Sequence, residues 1–470
     1  MGGTEMRDFV PFYWEQEKKT STGDTYLVRL SDFVLTDDGG EAEAAMYSYS
    51  YIGLPENKEK PVVFAYNGGP GSASEWLHMG LLGPKIMEIP GYPKVERPAK
   101  YDFTENTSFL LDCCDLVLID PVGTGFAPLL KEEAAEKYYE TQGDAVSFAK
   151  FIVNWLKINQ RKDAPVYLLG ESYGTIRNVV LADELPDDVN LRGIISVGTS
   201  LNVGAKGTLL VEPNVRRLGV NAAVCRYHFH PELDEADFIR DAMEFAYGDY
   251  AHALLMGNRL PADKREKVLE KLAYYSGLDR ALLDKQNLRF SEQDFMTKLC
   301  PGEFVSMYDA RMTLPLERNG SLANLENADI VEVDFNQEPF ISCIGSSIGD
   351  CIRAYYDAEL NRPEGRVYQD DTLAVAMNWD YRSYEKDTLQ LPVDLMKENE
   401  NLRFLFVNGR YDLSSTFDFM TYYLSQYDLP KDRISCEVLE SGHASYIGDG
   451  NAKALSSAVR AFIEGDRNEL

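Results

Sequence analysis

The chain has 470 residues, 44% hydrophobic and 26% charged, enough to bury a large core. No window reaches the ~18 consecutive apolar residues that a membrane span needs, so a membrane partner is not expected. The net charge of -29, from 76 acidic against 47 basic residues, repels phosphates and argues against a nucleic-acid partner.

The first 20 or so residues carry no apolar stretch behind a basic one, so no secretory leader is legible. Seven cysteines, an odd number, are scattered apart from Cys113 and Cys114, without CxxC or metal-type spacing. A secreted disulfide framework favours an even, patterned set, so a cytoplasmic location is expected, with no metal and no cofactor. Residues 24–37 and 44–52 are rich in Tyr, Val and Leu, and 46–51 nearly alternates, the mark of antiparallel strands. Continuous apolar runs follow at 61–66, 115–120, 165–169, 191–197, 402–407 and 434–439, suited to strands buried on both faces of a parallel sheet.

Between two of these runs, Ala145, Phe148, Ala149, Ile152, Val153 and Leu156 keep helical spacing, and Thr141 to Asp144 resembles a capping box. A last helix is expected over 452–463. This alternation predicts a mostly parallel, doubly wound α/β sheet with antiparallel N-terminal strands. The gap between Val197 and Leu402 breaks the rhythm. Residues 232–299 read as charged helices and 301–370 as irregular and acidic. An inserted, largely helical cap is therefore expected at 205–375, leaving 1–204 and 376–470 as the catalytic domain.

Gly170-Glu171-Ser172-Tyr173-Gly174 lies between an apolar run and a helix-like stretch, the sequence form of a nucleophile elbow. A second G-x-S-x-G, Gly345 to Gly349, presents Ser347. Placing Ser347 at the elbow would leave no sheet strand before the acid, so it is read as a loop or helix N-cap serine. His443, just past the run 434–439, is the candidate base. His78, His228, His230 and His252 lie elsewhere, and the pair His228-x-His230 lacks a third metal ligand. Asp412, beyond the run 402–407, is the candidate acid. Asp418 is its rival, expected on the solvated face of the next helix. The order Ser172, Asp412, His443 is that of an α/β-hydrolase. The loop Asn67 to Gly71 suits an oxyanion hole, with backbone N–H groups of Gly69 and Tyr173 as donors.

At these residues the chain resembles the serine carboxypeptidase family. The matching stretches are Asn67-Gly68-Gly69-Pro70-Gly71-Ser72, Gly83-Pro84, 119–126, 170–174, 409–412 and Gly442-His443. It looks most like the bacterial branch, which lacks disulfides. The resemblance implies a peptide substrate, cleaved at its C-terminal bond through an acyl-enzyme on Ser172. It also implies that Asn67 and Glu171 bind the substrate's free carboxylate, with peptidase activity favoured at acidic pH because like charges raise the Glu171 pKa. The chain departs from the family pattern at Ala65, Leu81, Ser72 and Ala444-Ser445-Tyr446. An esterase or acyltransferase on the same residues, or a non-catalytic binding protein on the same scaffold, are the alternatives.

Overall fold

The apolar runs become the strands of one sheet. The computed structural model describes residues 9–95, 100–201, 212–316, 337–370, 372–381 and 383–465. Its main strands are β1 (Tyr13–Lys19), β2 (Thr25–Thr36), β3 (Ala42–Gly53), β4 (Val62–Tyr66), β5 (Asp115–Asp120), β6 (Val166–Glu171), β7 (Leu191–Val197), β8 (Arg403–Gly409) and β9 (Ile434–Leu439). They pair in the spatial order β1, β2, β3, β5, β4, β6, β7, β8, β9. Pairings up to β3 with β5 are antiparallel, and every later one is parallel. Every residue of β4, β5 and β6 is buried, which explains why those runs are continuous rather than alternating.

Helices α1 (Thr141–Ile158) and α2 (Tyr173–Glu184) pack on one face, where Phe148, Ile152, Ile176 and Val180 meet Phe64 and Leu168. The cap of α1 differs from expectation. Glu140 is the extended N-cap residue, and its carboxylate accepts from the N–H groups of Gln142, at 2.9 Å, and Gly143. Thr141 is already helical, and Asp144 turns inward to Arg177.

The long segment between β7 and β8 divides in two. Helices α3 (Leu218–Phe229) and α4 (Ala262–Ser276) belong to a core of their own, containing Leu218, Val224, Tyr250, Leu269, Leu272 and Phe295. That core reaches the post-β8 loop at Tyr411 and Leu413. The helix-like run at 351–360, within the stretch otherwise read as irregular, is part of α5 (Ser346–Glu359), and its Ile348, Ile352, Tyr355 and Tyr356 share the main core with Tyr47, Tyr49 and Tyr51 of β3. The return path is tied down by Gln369 N–H to Gly125 C=O at 2.9 Å and Thr372 N–H to Gly71 C=O at 2.7 Å.

Ser347 sits buried in the first turn of α5, inside the helix rather than capping it. Asp418 lies in α6 (Phe417–Gln426) as expected, but it is buried, not solvated. Its Oδ2 accepts from Val220 N–H at 2.6 Å, so it satisfies an orphan donor in the first turn of α3. Burial pushes its carboxyl up to about 7. On the opposite face of the sheet, α7 (Asn451–Glu464) contributes Leu455, Val459 and Phe462 against Tyr167 and Leu169.

Candidate active site

β6 ends at Glu171 and α2 begins at Tyr173, so Ser172 alone makes the turn. Its φ of 57° and ψ of -122° lie where L-residues are strained, at a cost of about 1–3 kcal/mol. Only glycine fits at 170, since a Cβ there would come within 2.1 Å of the Gly174 carbonyl oxygen. Ser172 N–H donates to Val197 C=O of β7 at 2.9 Å. The side chain is therefore held at the strand ends and stays partly exposed.

Asp412 follows β8, and its buried carboxylate is fully directed. Oδ1 accepts from Ser414 and Ser415 N–H at 2.8 and 3.0 Å, leaving Oδ2 to accept from His443 Nδ1 at 2.8 Å. Burial disfavours an imidazolium at 443. The Asp412 charge and hydrogen bond, with the Glu171 charge, outweigh burial and raise the His443 pKa above its usual value. The imidazole packs on Gly198, where a Cβ would lie 3.1 Å from Cε1, and Gly198 directly follows the Val197 that holds Ser172. His443, from the loop after β9, and Asp412, from the loop after β8, are thus joined beside Gly198, next to the residue of β7 that holds Ser172 at the end of β6. Among the described residues no hydrogen bond joins Ser172 Oγ to His443, a contact that often tightens only with substrate bound.

The Asn67–Gly71 loop lies against the elbow: a Cβ on Gly68 would be 2.5 Å from Tyr173 N and 2.6 Å from Gly174 N. Among the described residues no acceptor is paired with the N–H of Gly69 or Tyr173. Asn67 is oriented on three sides. Leu77 N–H donates to its Oδ1 at 3.0 Å, Arg177 Nη1 to its carbonyl at 2.7 Å, and its own Nδ2 donates to Glu171 Oε2 at 2.8 Å. Burial pushes the Glu171 carboxyl up to about 7, although the His443 charge and hydrogen bonds from Tyr446 and Asn67 pull the other way.

Two features escaped the sequence reading. Tyr446, three residues past His443, donates to Glu171 Oε2 at 2.8 Å. The other is a strap, residues 306–312, which crosses both the acid and base loops. Tyr308 C=O accepts from His443 N–H at 2.6 Å, Met307 C=O accepts from Leu413 N–H at 3.0 Å, and Ala310 N–H donates to Tyr411 C=O at 3.0 Å. The strap is locked by Arg311, whose Nε and Nη2 reach Asp309 at 2.9 and 2.6 Å while Nη1 reaches Glu440 C=O at 3.2 Å. Buried Glu338 accepts from Met307 N–H at 2.9 Å and from Ser306 Oγ. His228 Nε2 donates to Ala310 C=O at 2.7 Å, which accounts for that histidine as a strap contact.

Among the described residues no group of three or more His, Cys, Asp and Glu is placed to hold a metal ion, and no helix is long and apolar enough to cross a membrane.

Strand order, elbow, and the placement of Ser172, Asp412 and His443 after the parallel strands β6, β8 and β9 define an α/β-hydrolase fold. Residues 29–203 match the family model for serine carboxypeptidase. Serine carboxypeptidase-like 36 of Arabidopsis thaliana is 28% identical over 166 residues, 33% of this chain and 32% of that protein. Serine carboxypeptidase-like 5 of the same plant is 31% identical over 143 residues, 28% of this chain and 30% of that protein. The matched stretch therefore spans about a third of the length of these curated relatives. Among solved structures, Kex1(delta)p, a prohormone-processing carboxypeptidase from Saccharomyces cerevisiae, superposes with a TM-score of 0.51 at 15% identity. The superposition covers 93% of this chain and 91% of that one, and it establishes the shared fold.

Proposed function

We propose that this chain is a serine-type carboxypeptidase, releasing C-terminal residues of peptides through an acyl-enzyme. Ser172 Oγ attacks the scissile carbonyl carbon while His443 Nε2 takes its proton. Asp412 holds Nδ1–H and stabilises the imidazolium. The oxyanion forms against the N–H groups of Gly69 and Tyr173. Collapse breaks the C–N bond, the leaving amine takes the proton from His443, and water repeats the sequence to free the shortened peptide.

The observation that carries the peptidase reading is Glu171, one residue before the nucleophile, buried and bonded to Asn67. Below about pH 7 that carboxyl is neutral, so Glu171 and the Asn67 amide can both donate to a substrate carboxylate. Mass spectrometry of peptides after digestion tests the proposal. Stepwise loss of C-terminal residues is expected, abolished by Ser172→Ala and retained in Ser347→Ala. Cleavage of small esters with peptides left intact would instead favour an esterase or acyltransferase, and no labelling of Ser172 by a fluorophosphonate would favour a binding protein.

A further inference from the structure

The Tyr446 phenol has no part in the acyl-transfer steps, yet it is built into the site. Its hydroxyl and Asn67 Nδ2 both donate to Glu171 Oε2, each at 2.8 Å. The ring is buried against Gly80, where a Cβ would fall 2.2 Å from Tyr446 Cε2. The turn that carries it is fixed by Ser441 Oγ donating to Ile447 C=O at 2.9 Å and Ile447 N–H donating to Ala444 C=O at 2.9 Å. Base and phenol therefore ride on one short turn.

We propose that Tyr446 is a specificity-determining positioning residue: by donating to Glu171 Oε2, it sets the pH above which the site stops accepting a free C-terminal carboxylate. This rests on the carboxypeptidase reading. With Oε2 taken by two donors, the proton of neutral Glu171 is directed to Oε1, the oxygen left to donate to substrate. The same two donors favour the ionised form, so they oppose the burial that keeps Glu171 protonated. The other charged groups facing this carboxyl are His443, whose charge favours ionisation, and Asp412, whose charge opposes it. Glu75 acts on Tyr446 itself, and burial with the nearby carboxylates keeps the phenol protonated and able to donate. The phenol is thus a fixed counterweight to burial, and its removal has a defined sign.

Tyr446→Phe keeps the ring against Gly80 and removes only the donor. KM for a blocked dipeptide acid and for its amide is measured from about pH 4 to about pH 9, a range that brackets the ordinary and raised carboxyl values. For the acid, the rise in KM with pH is expected to move up by about one unit, a tenfold change in the ionisation constant, so that KM near neutrality falls below that of the wild type. Loss of packing alone would raise KM at every pH. The same inflection is expected in binding of the dipeptide acid to the Ser172→Ala protein, which separates affinity from turnover. In a Glu171→Gln background, Tyr446→Phe should produce no pH-dependent change. An unmoved inflection, a uniform rise in KM, or a shift that persists in the Glu171→Gln background would each overturn the assignment. If the wild type treats acid and amide alike at every pH, the carboxypeptidase reading fails and takes this proposal with it. Wild-type discrimination with an unmoved Tyr446→Phe inflection removes the assignment of Tyr446 alone.

Discussion

Replacing Arg177 with methionine removes the cation beneath the candidate oxyanion loop. Nε and Nη2 donate to Asp144 at 2.6 and 3.3 Å, and Nη1 donates to Asn67 C=O at 2.7 Å. Both partners of the ion pair are buried, and the guanidinium lies 4.6 Å from the Phe148 ring centre and 5.3 Å from that of Tyr173. Burial already raises the Asp144 carboxyl even with the cation beside it. Stripping one partner from a buried pair costs about 3–5 kcal/mol, because the other is left uncompensated. The orphaned Asn67 carbonyl adds about 1–3 kcal/mol, partly overlapping the first loss.

Urea unfolding at pH 7 measures the deficit. It should shrink as pH falls and Asp144 takes up a proton. Adding Asp144→Leu should recover most of the loss, since an apolar pair needs no compensating charge. Asn67 stays less well anchored in both variants, so KM for free-acid peptides rises in each. A single variant within about 1 kcal/mol of wild type, or a double variant no more stable than the single, would refute the reasoning.

Asp412→Asn should lower kcat by about 10⁴-fold with little change in Tm, because the amide cannot hold the Nδ1–H tautomer of His443; a loss under tenfold would contradict the role of that pair. Glu171 keeps its proton up to about pH 7 when folded, against the ordinary 4.5 when unfolded. The folded state therefore binds more protons between those values, and stability falls by about 3 kcal/mol as pH rises through that window. Glu171→Gln should flatten this dependence in urea titrations at several pH values, and an unchanged slope would count against the raised carboxyl. Arg311→Met frees the strap that holds His443 N–H, and should cost about 10²-fold in kcat with a smaller change in KM. Normal kcat in a folded variant would show that the strap does not position the base.

The buried strands were legible because both faces of β4, β5 and β6 are covered, which forces an unbroken apolar run. The stretches holding Ser172, Asp412 and His443 were legible because each follows a strand end, and chain order suggests the roles proposed for them. Features joining distant segments were not. The strap links 307 and 308 to 413 and 443 through backbone groups, which leave no residue-type signal. Asp418 read as solvated because helical spacing cannot show that the first turn of α3 docks over it. Glu140 replaced the expected cap because the helix begins one residue earlier than the box at Thr141 implies, and its carboxylate reaches the N–H groups of Gln142 and Gly143. Tyr446 stood out only as a departure from the family pattern, and its partner Glu171 lies 275 positions away in the chain.

The most direct measurement of the central claim is the pair of rates for one blocked dipeptide, as free acid and as C-terminal amide, followed from acidic to neutral pH. The acid should be cleaved much faster than the amide below about pH 7, with the advantage fading as Glu171 ionises. Equal turnover of the two at every pH would contradict recognition of a free carboxylate and leave a hydrolase of another substrate class.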